Sequence, residues 1–168
     1  SEESFGYMLH ADARDKDGVS SVAIISEVAL YFKRKGMNLM EALDLIYEKY
    51  GFFFESLVSQ DYEGIEGSKK IDRIMEYFRS YPETHFAGEK IVGKEDYLKE
   101  TGLPKSNVLS FTFESGNKVF LRPSGTEPKI KFYTMVRETS GKIEEKKLNA
   151  LKKVKTIEDK IKECCEKA

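Results

Sequence analysis

The stretch that decides the fold is Leu109-Ser-Phe-Thr-Phe113, followed by Glu114-Ser-Gly-Asn117 and then by Lys118-Val-Phe-Leu-Arg122. Apolar and polar side chains alternate along 109–113, which is typical of a strand that buries one face. The Ser-Gly-Asn sequence is a turn signal, and the alternation resumes along 118–122. Together these patterns predict a β-hairpin, the clearest secondary-structure signal in the chain.

The returning strand of this hairpin leads into a short loop, Arg122-Pro-Ser-Gly-Thr-Glu-Pro128. Two prolines limit the freedom of the loop, because proline fixes φ and cannot donate a hydrogen bond to a neighbouring strand. The pattern of 130–136 then predicts another strand. The 122–128 loop is therefore predicted to join two strands.

Side chains suited to a phosphate group are concentrated in this loop. A guanidinium fork, two hydroxyls and a glycine that can turn its backbone N–H groups inward are supplied by Arg122, Ser124, Gly125 and Thr126. Lys129 and Lys131 follow two residues apart on the predicted strand, so both project from one face and one of them could close the side of the site. Composition alone leaves open a hairpin loop with a solvated arginine.

Helical and extended patterns fill the rest of the chain. The predicted helices cover 19–32, 38–50, 71–78 and 148–164, the last as one long helix or two short ones, and the further predicted strands cover 52–60 and 86–92. Asn38 and Glu41 have the spacing of a capping box at the start of the second helix. Gly64 and Gly67 are interpreted as turn residues before the third helix. Gly93 and residues 101–104 are interpreted as connecting loop. We place a domain boundary near residue 51.

Composition favours a globular protein and argues against two classes of partner. The 168 residues are 40% hydrophobic, enough to bury one substantial core or two small ones. The 28 Lys and Arg balance the 29 Asp and Glu, so no overall field attracts nucleic acid or an anionic membrane. No run of 18 apolar residues and no signal-peptide pattern occurs, and we expect a cytoplasmic protein. The aromatic stripe is predicted to be core rather than a base-stacking platform; it consists of Phe111, Phe113, Phe120 and Phe132.

The histidines and cysteines suggest no catalytic or metal centre. His10 and His85 do not lie at metal-ligand spacing from another ligand. Cys164 and Cys165 are adjacent, which is a poor geometry for a structural disulfide, so we expect reduced thiols. The sequence also lacks a nucleophile elbow, a Walker-type loop and a Cys-x-x-Cys pair.

Two polar segments near the start of the chain offer further hydrogen-bonding groups. Glu2-Glu-Ser-Phe-Gly6 has carboxylates and a hydroxyl that could bond vicinal sugar hydroxyls. Arg14-Asp-Lys-Asp-Gly18 alternates charges before the first predicted helix, with Asp17 near its N-cap. Taken alone, both are typical of surface turns.

Three segments, taken in order, match a known pattern. They are Glu2-Glu-Ser-Phe-Gly-Tyr7, Arg14-Asp-Lys-Asp-Gly-Val19 and Arg122-Pro-Ser-Gly-Thr-Glu-Pro-Lys-Ile-Lys-Phe-Tyr133. In sequence and spacing they resemble the phosphoglucomutase/phosphomannomutase superfamily, and in particular the branch that includes phosphopentomutases. The resemblance extends from the first segment to about residue 136, and the last helix fits the end of the family's chain.

The resemblance implies a fold and a set of site residues. Members have four domains around a cleft, so 1–50 would be the helical end of an α/β third domain. Residues 51–168 would be the fourth domain, an α+β antiparallel sheet with helices that is similar to the TATA-binding-protein fold. The sugar would be contacted by Glu2, Ser4 and Lys16. The phosphate that is not transferred would be held by Arg122, Ser124, Gly125, Thr126 and Lys131.

The resemblance also implies a reaction in which a phosphoserine phosphorylates a sugar phosphate, and the resulting bisphosphate turns around and returns its other phosphate. The family's phosphoserine loop and metal loop do not occur in these residues, so the segment alone is predicted to be inactive. Mg²⁺ would be bound by the missing part of the enzyme, with glucose 1,6-bisphosphate as intermediate and activator. Tyr7 stands where some bacterial relatives have a histidine, and His10 is not in register to replace it.

The resulting prediction is the C-terminal part of a phosphoglucomutase that interconverts glucose 1-phosphate and glucose 6-phosphate, with mannose phosphates as further substrates. Its partners would be the sugar phosphate and the N-terminal domains of the same enzyme. Phosphopentomutase and phosphoglucosamine mutase are the alternatives among enzymes. A sugar-phosphate binding module without turnover is the alternative among binding proteins, and nucleic-acid binding is opposed by the balanced charge.

Overall fold

The computed structural model describes residues 7–9, 12, 15–99 and 101–168. The chain divides into two compact units, Ser1–Lys49 and Tyr50–Ala168. The assignment of these units to the third and fourth domains of a mutase stays a prediction. Glu2, Ser4 and His10, which the sequence singled out, lie outside the described residues.

The described part of the first unit is helical. Helix α1 covers Gly18–Arg34 and helix α2 covers Leu39–Tyr50. The carboxylate of Asp17 accepts hydrogen bonds from the amides of Val19 and Ser20, both at 3.0 Å, and so caps the first helix. The predicted capping box is confirmed, because the Glu41 amide donates to Asn38 Oδ1 at 2.9 Å and the Asn38 amide donates to Glu41 Oε2 at 2.7 Å.

The second unit is an antiparallel sheet with helices, which confirms the α+β class. Within the described residues the sheet has six strands in the order β1-β6-β5-β4-β3-β2. The strands are β1 (Phe52–Asp61), β2 (His85–Phe86), β3 (Glu89–Asp96), β4 (Leu109–Phe113), β5 (Lys118–Pro123) and β6 (Lys129–Glu138). Helix α3 (Gly64–Arg79) and helix α4 (Ile143–Lys167) complete the unit. The predicted hairpin is formed by β4 and β5.

The core lies between one face of this sheet and the two helices. Alternate residues of β6 are buried, as expected for a strand with one face in the core. From α3, the ring of Phe78 lies 6.2 Å from the rings of both Phe111 and Phe132. From α4, Ile157 and Ile161 are almost completely buried. The last helix is a single element of 25 residues, which settles the choice between one long helix and two short ones.

The prediction of one strand over 86–92 is wrong, because β2 and β3 form a small hairpin there. The two strands are joined by Ala87 and Gly88, whose φ angles are 51° and 82°. Two consecutive positive φ angles are characteristic of the tight turn that matches the twist of a hairpin. Such turns usually contain Asn-Gly or Asp-Gly, so the Ala-Gly sequence did not indicate a turn here.

Three glycine and aromatic assignments also differ from the prediction. Gly93 lies inside β3, next to a shift in register, and not in a loop. Gly67 lies inside α3, which begins at Gly64, rather than before it. Phe120 is only half-buried and faces away from the core, because its neighbour Leu121 takes the core position on β5. The other three members of the aromatic stripe are buried, as predicted.

Candidate functional site

The 122–128 loop connects β5 to β6 and forms one side of an open cavity. The two strands are in antiparallel register, with Arg122 opposite Lys131 and Pro123 opposite Ile130. The cavity has a volume of about 440 Å³. It is lined by Arg122, Pro123, Ser124, Gly125, Thr126, Glu127, Lys129 and Lys131.

Backbone hydrogen bonds fix the base of the loop. The Ser124 amide donates to the Lys129 carbonyl at 2.8 Å, and the Lys129 amide donates to the Glu127 carbonyl at 2.7 Å. The carbonyl of Pro128 accepts the amide of Tyr62, also at 2.8 Å, which ties the end of the loop to the segment after β1. Proline has no backbone N–H group, so its carbonyl is the backbone group through which Pro128 can form this hydrogen bond.

Two backbone amides of the loop converge on one oxygen. Ser124 Oγ accepts the amide of Thr126 at 3.3 Å and the amide of Glu127 at 3.2 Å. Neighbouring N–H groups that point at a common centre form a concave site for an anionic oxygen. The loop therefore already presents amides in a convergent arrangement, with the serine hydroxyl occupying the centre.

The cavity carries an excess of positive charge. Arg122 is exposed and, among the described residues, has no side-chain hydrogen bond or ion pair. Lys129 forms an ion pair with Glu127, and the hydrogen bond that its ammonium donates to that carboxylate raises the pKa of Lys129. With Lys131, three cations stand against one carboxylate. The lining is therefore predominantly cationic, which suits a phosphate group.

The structure brings together five of the eight site residues that the sequence singled out, because Arg122, Ser124, Gly125, Thr126 and Lys131 all line the cavity. Lys16 is exposed and lies in the first unit, where its amide donates to Asp15 Oδ1 at 2.7 Å. Glu2 and Ser4 fall in the part of the chain that is not described.

Among the charged residues of the cavity, Glu127 was not selected from the sequence, and Lys129 was named only as one of two lysines that could close the side of the site. Glu127 and Lys129 were present in the quoted motif, and their opposite charges on either side of Pro128 were the available signal. Because the turn at Pro128 folds the chain back, two residues that are close in sequence can pair across it.

A smaller apolar depression adjoins the cavity on the face of the sheet opposite α3 and α4. Its volume is about 240 Å³, and it is lined by Val108, Phe120, Arg122, Tyr133 and Met135. Arg122 belongs to both concavities and therefore stands at their common edge. Arg122 thus lines both the apolar depression and the polar loop cavity.

The described residues contain no group of three or more His, Cys, Asp or Glu side chains that could hold a metal ion. These described residues therefore do not fit a magnesium site. In the same parts of the chain, no helix combines the length and the apolar character needed to cross a bilayer.

No protein-family model matches the chain. It is, however, 40% identical over 162 residues to the phosphoglucomutase of Staphylococcus aureus strain bovine RF122 / ET3-1, and 40% identical over the same length to that of strain MRSA252. Each match covers 89% of this chain and 29% of the relative. Over the stretch that it covers, the chain is therefore homologous to phosphoglucomutases, consistent with the C-terminal region of the phosphoglucomutase/phosphomannomutase superfamily.

A solved structure has a fold similar to that of this chain. The open form of the Paramecium phosphoglucomutase pp63/parafusin, an exocytosis-sensitive phosphoprotein, superimposes with a TM-score of 0.56 at 18% sequence identity. The superposition covers 90% of this chain and 28% of the Paramecium protein. At this identity the likeness concerns the fold alone. The chain spans less than a third of the length of the relatives it matches.

Proposed function

We propose that this chain is the C-terminal part of a phosphoglucomutase that interconverts glucose 1-phosphate and glucose 6-phosphate through a phosphoserine and a sugar bisphosphate. The observation that carries the proposal is the cavity at the 122–128 loop. An exposed arginine without a partner among the described residues lines it together with two residues whose backbone amides converge on Ser124 Oγ. A guanidinium fork and amides at a common centre suit the three terminal oxygens of a phosphate ester.

The role of this site in the reaction is to hold the phosphate that is not being transferred. The bisphosphate intermediate has to be bound in two orientations, so one site must accept the phosphate of either end of the sugar. An exposed cavity with an excess of positive charge can do so without recognising the rest of the ligand in detail. Selection of the sugar would then depend on hydroxyl contacts from Glu2, Ser4 and Lys16.

The remaining components follow from the family and are part of the proposal. We infer that 1–50 and 51–168 are the end of the third domain and the fourth domain of the enzyme, which acts in the cytoplasm. The phosphoserine and Mg²⁺ would be contributed by the other domains, and glucose 1,6-bisphosphate would serve as intermediate and activator. The chain alone should therefore bind sugar phosphates without turning them over.

Titration calorimetry of the chain with glucose 1-phosphate and glucose 6-phosphate tests the phosphate site. Arg122→Ala should weaken the binding of both ligands by about 1.5–3 kcal/mol, the scale of a hydrogen bond to a charged group, which is roughly 10- to 150-fold in Kd. Arg73→Ala is the matched control, because Arg73 is an arginine of α3 that donates from Nε to the Ala168 carbonyl at 3.3 Å. Unchanged affinity of Arg122→Ala for both ligands would rule out the phosphate-binding role of Arg122. The same titrations with mannose phosphates test the sugar contacts.

A further inference from the structure

The cavity that we assign to phosphate already contains a carboxylate. Glu127 lines it together with the cations, and its side chain forms an ion pair with Lys129. The two residues are also joined through the backbone, since the Lys129 amide donates to the Glu127 carbonyl at 2.7 Å. One of the cations at this site is therefore neutralised from within the loop.

Lys129 and Glu127 differ in the exposure of their side chains and in the contacts that hold them. The side chain of Lys129 is 25% exposed, whereas that of Glu127 is 60% exposed. Lys129 lies in a strand and is paired across the ladder with Asp61, whose charge also favours the ammonium form. Glu127 lies in the loop, and its carboxylate can turn into solvent at little cost. An incoming anion would thus displace the glutamate and leave the lysine in place.

A phosphate dianion and a carboxylate compete for the same ammonium group. When the carboxylate stays, it repels the phosphate, and when it leaves, its ion pair is lost, so either outcome reduces the net gain on binding. Arg122 has no such competitor among the described residues. Arg122 is therefore available to a ligand at once, whereas Lys129 has first to be released from Glu127.

We propose that Glu127 is an internal competitor that limits the affinity of the site for phosphate esters and is exchanged for phosphate on Lys129 when a ligand binds. This inference rests on the proposed function of the site. In a reaction whose intermediate must loosen, turn around and bind again, a phosphate group held too tightly would slow the reorientation, because uniform tight binding does not accelerate turnover. The glutamate keeps the binding reversible.

The test compares variants of the chain in their binding of inorganic phosphate, measured by calorimetry and by ³¹P NMR. Glu127→Gln keeps the size of the side chain and removes its charge, and it should lower the Kd roughly 2- to 5-fold, the scale of an exposed ion pair. Glu114→Gln is the matched control, because Glu114 forms an exposed ion pair with Lys90 at 2.9 Å in the second unit and does not line the cavity. It should leave the Kd unchanged.

A double-mutant cycle with Lys129→Met separates competition from a general effect of charge. If Glu127 acts through Lys129, the gain from Glu127→Gln should disappear in the Lys129→Met background. Weaker or unchanged phosphate binding in Glu127→Gln overturns the competitor role, as does a gain that persists without Lys129. Arg122→Ala distinguishes the two proposals. If this variant binds phosphate as well as the unchanged chain does, the assignment of the phosphate site is wrong. If it binds phosphate more weakly but Glu127→Gln does not bind it more tightly, only the role of Glu127 is wrong.

Discussion

The side-chain amide of Asn117 donates hydrogen bonds to both carboxylate oxygens of Glu89, at 2.8 and 3.1 Å. On its other side, Asn117 Oδ1 accepts the amide of Arg137 at 2.9 Å. The residue is 1% exposed, so it links the turn of the β4–β5 hairpin to the start of β3 and the end of β6 from inside the protein.

Replacement of Asn117 by alanine should therefore destabilise the second unit. The change leaves the Glu89 carboxylate and the Arg137 amide without these partners, and a buried polar group without a hydrogen bond costs about 1–3 kcal/mol. Urea denaturation should show this loss in the free energy of unfolding. Asn149→Ala, on the exposed side of α4, is the control and should change it by less than about 0.5 kcal/mol. Equal effects of the two substitutions would contradict the structural role of Asn117.

Gly67 is required by a close approach of two backbone segments. A Cβ atom at this position would lie 2.5 Å from both the carbonyl carbon and the carbonyl oxygen of Tyr62. Gly67→Ala should lower the free energy of unfolding by about 1–3 kcal/mol, the usual cost of overpacking, although alanine is the better helix former. Gly18→Ala at the start of α1 is the counterpart, because a Cβ there meets nothing within 4 Å. Thermal unfolding that shows no loss for Gly67→Ala would mean that the contact with Tyr62 can relax.

The two cysteines should be protected thiols. Burial raises the pKa of Cys164 and raises the pKa of Cys165 to about 12. Since the thiolate is the reactive form, neither residue should react readily with an aromatic disulfide reagent at pH 8 until the chain is unfolded in guanidinium. The folded state disfavours the charged form, so the free energy of unfolding should fall as the pH rises from 9 towards 12. Rapid reaction of both thiols in the native protein would contradict this assignment.

Local sequence patterns predicted much of the fold correctly. The hairpin of β4 and β5 was readable because strong alternation flanks a turn with Gly116, and the start of α2 because a capping box lies within four residues. The turn at Ala87 was missed because its conformation depends on the pairing of the strands on either side and not on its own residue type. The orientation of Phe120 follows from the alternation along β5, because its neighbours Val119 and Leu121 take the core positions; grouping the phenylalanines by residue type overlooked this.

The candidate site was predictable where its residues are contiguous. Arg122 and Thr126 occur in one loop, so their proximity follows from the chain itself, and the structure adds the cavity that they share. The pairing of Glu127 with Lys129 was not predicted, because it depends on how the chain turns at Pro128. Lys16 lies in the other unit, and no local sequence pattern relates it to the 122–128 loop.

The pairing of β1 with β6 has a consequence for how the second unit forms. These strands hydrogen-bond along their whole length, from Phe52 opposite Glu138 to Asp61 opposite Lys129, although the rest of the sheet and α3 lie between them in the sequence. Strands β4, β5 and β6 follow one another as neighbours, so their association needs only short chain closures. During refolding, we expect the 122–128 loop to form together with β4, β5 and β6. Strand β1 should pair with β6 last, because this pairing closes the longest stretch of chain and has the greatest entropic cost.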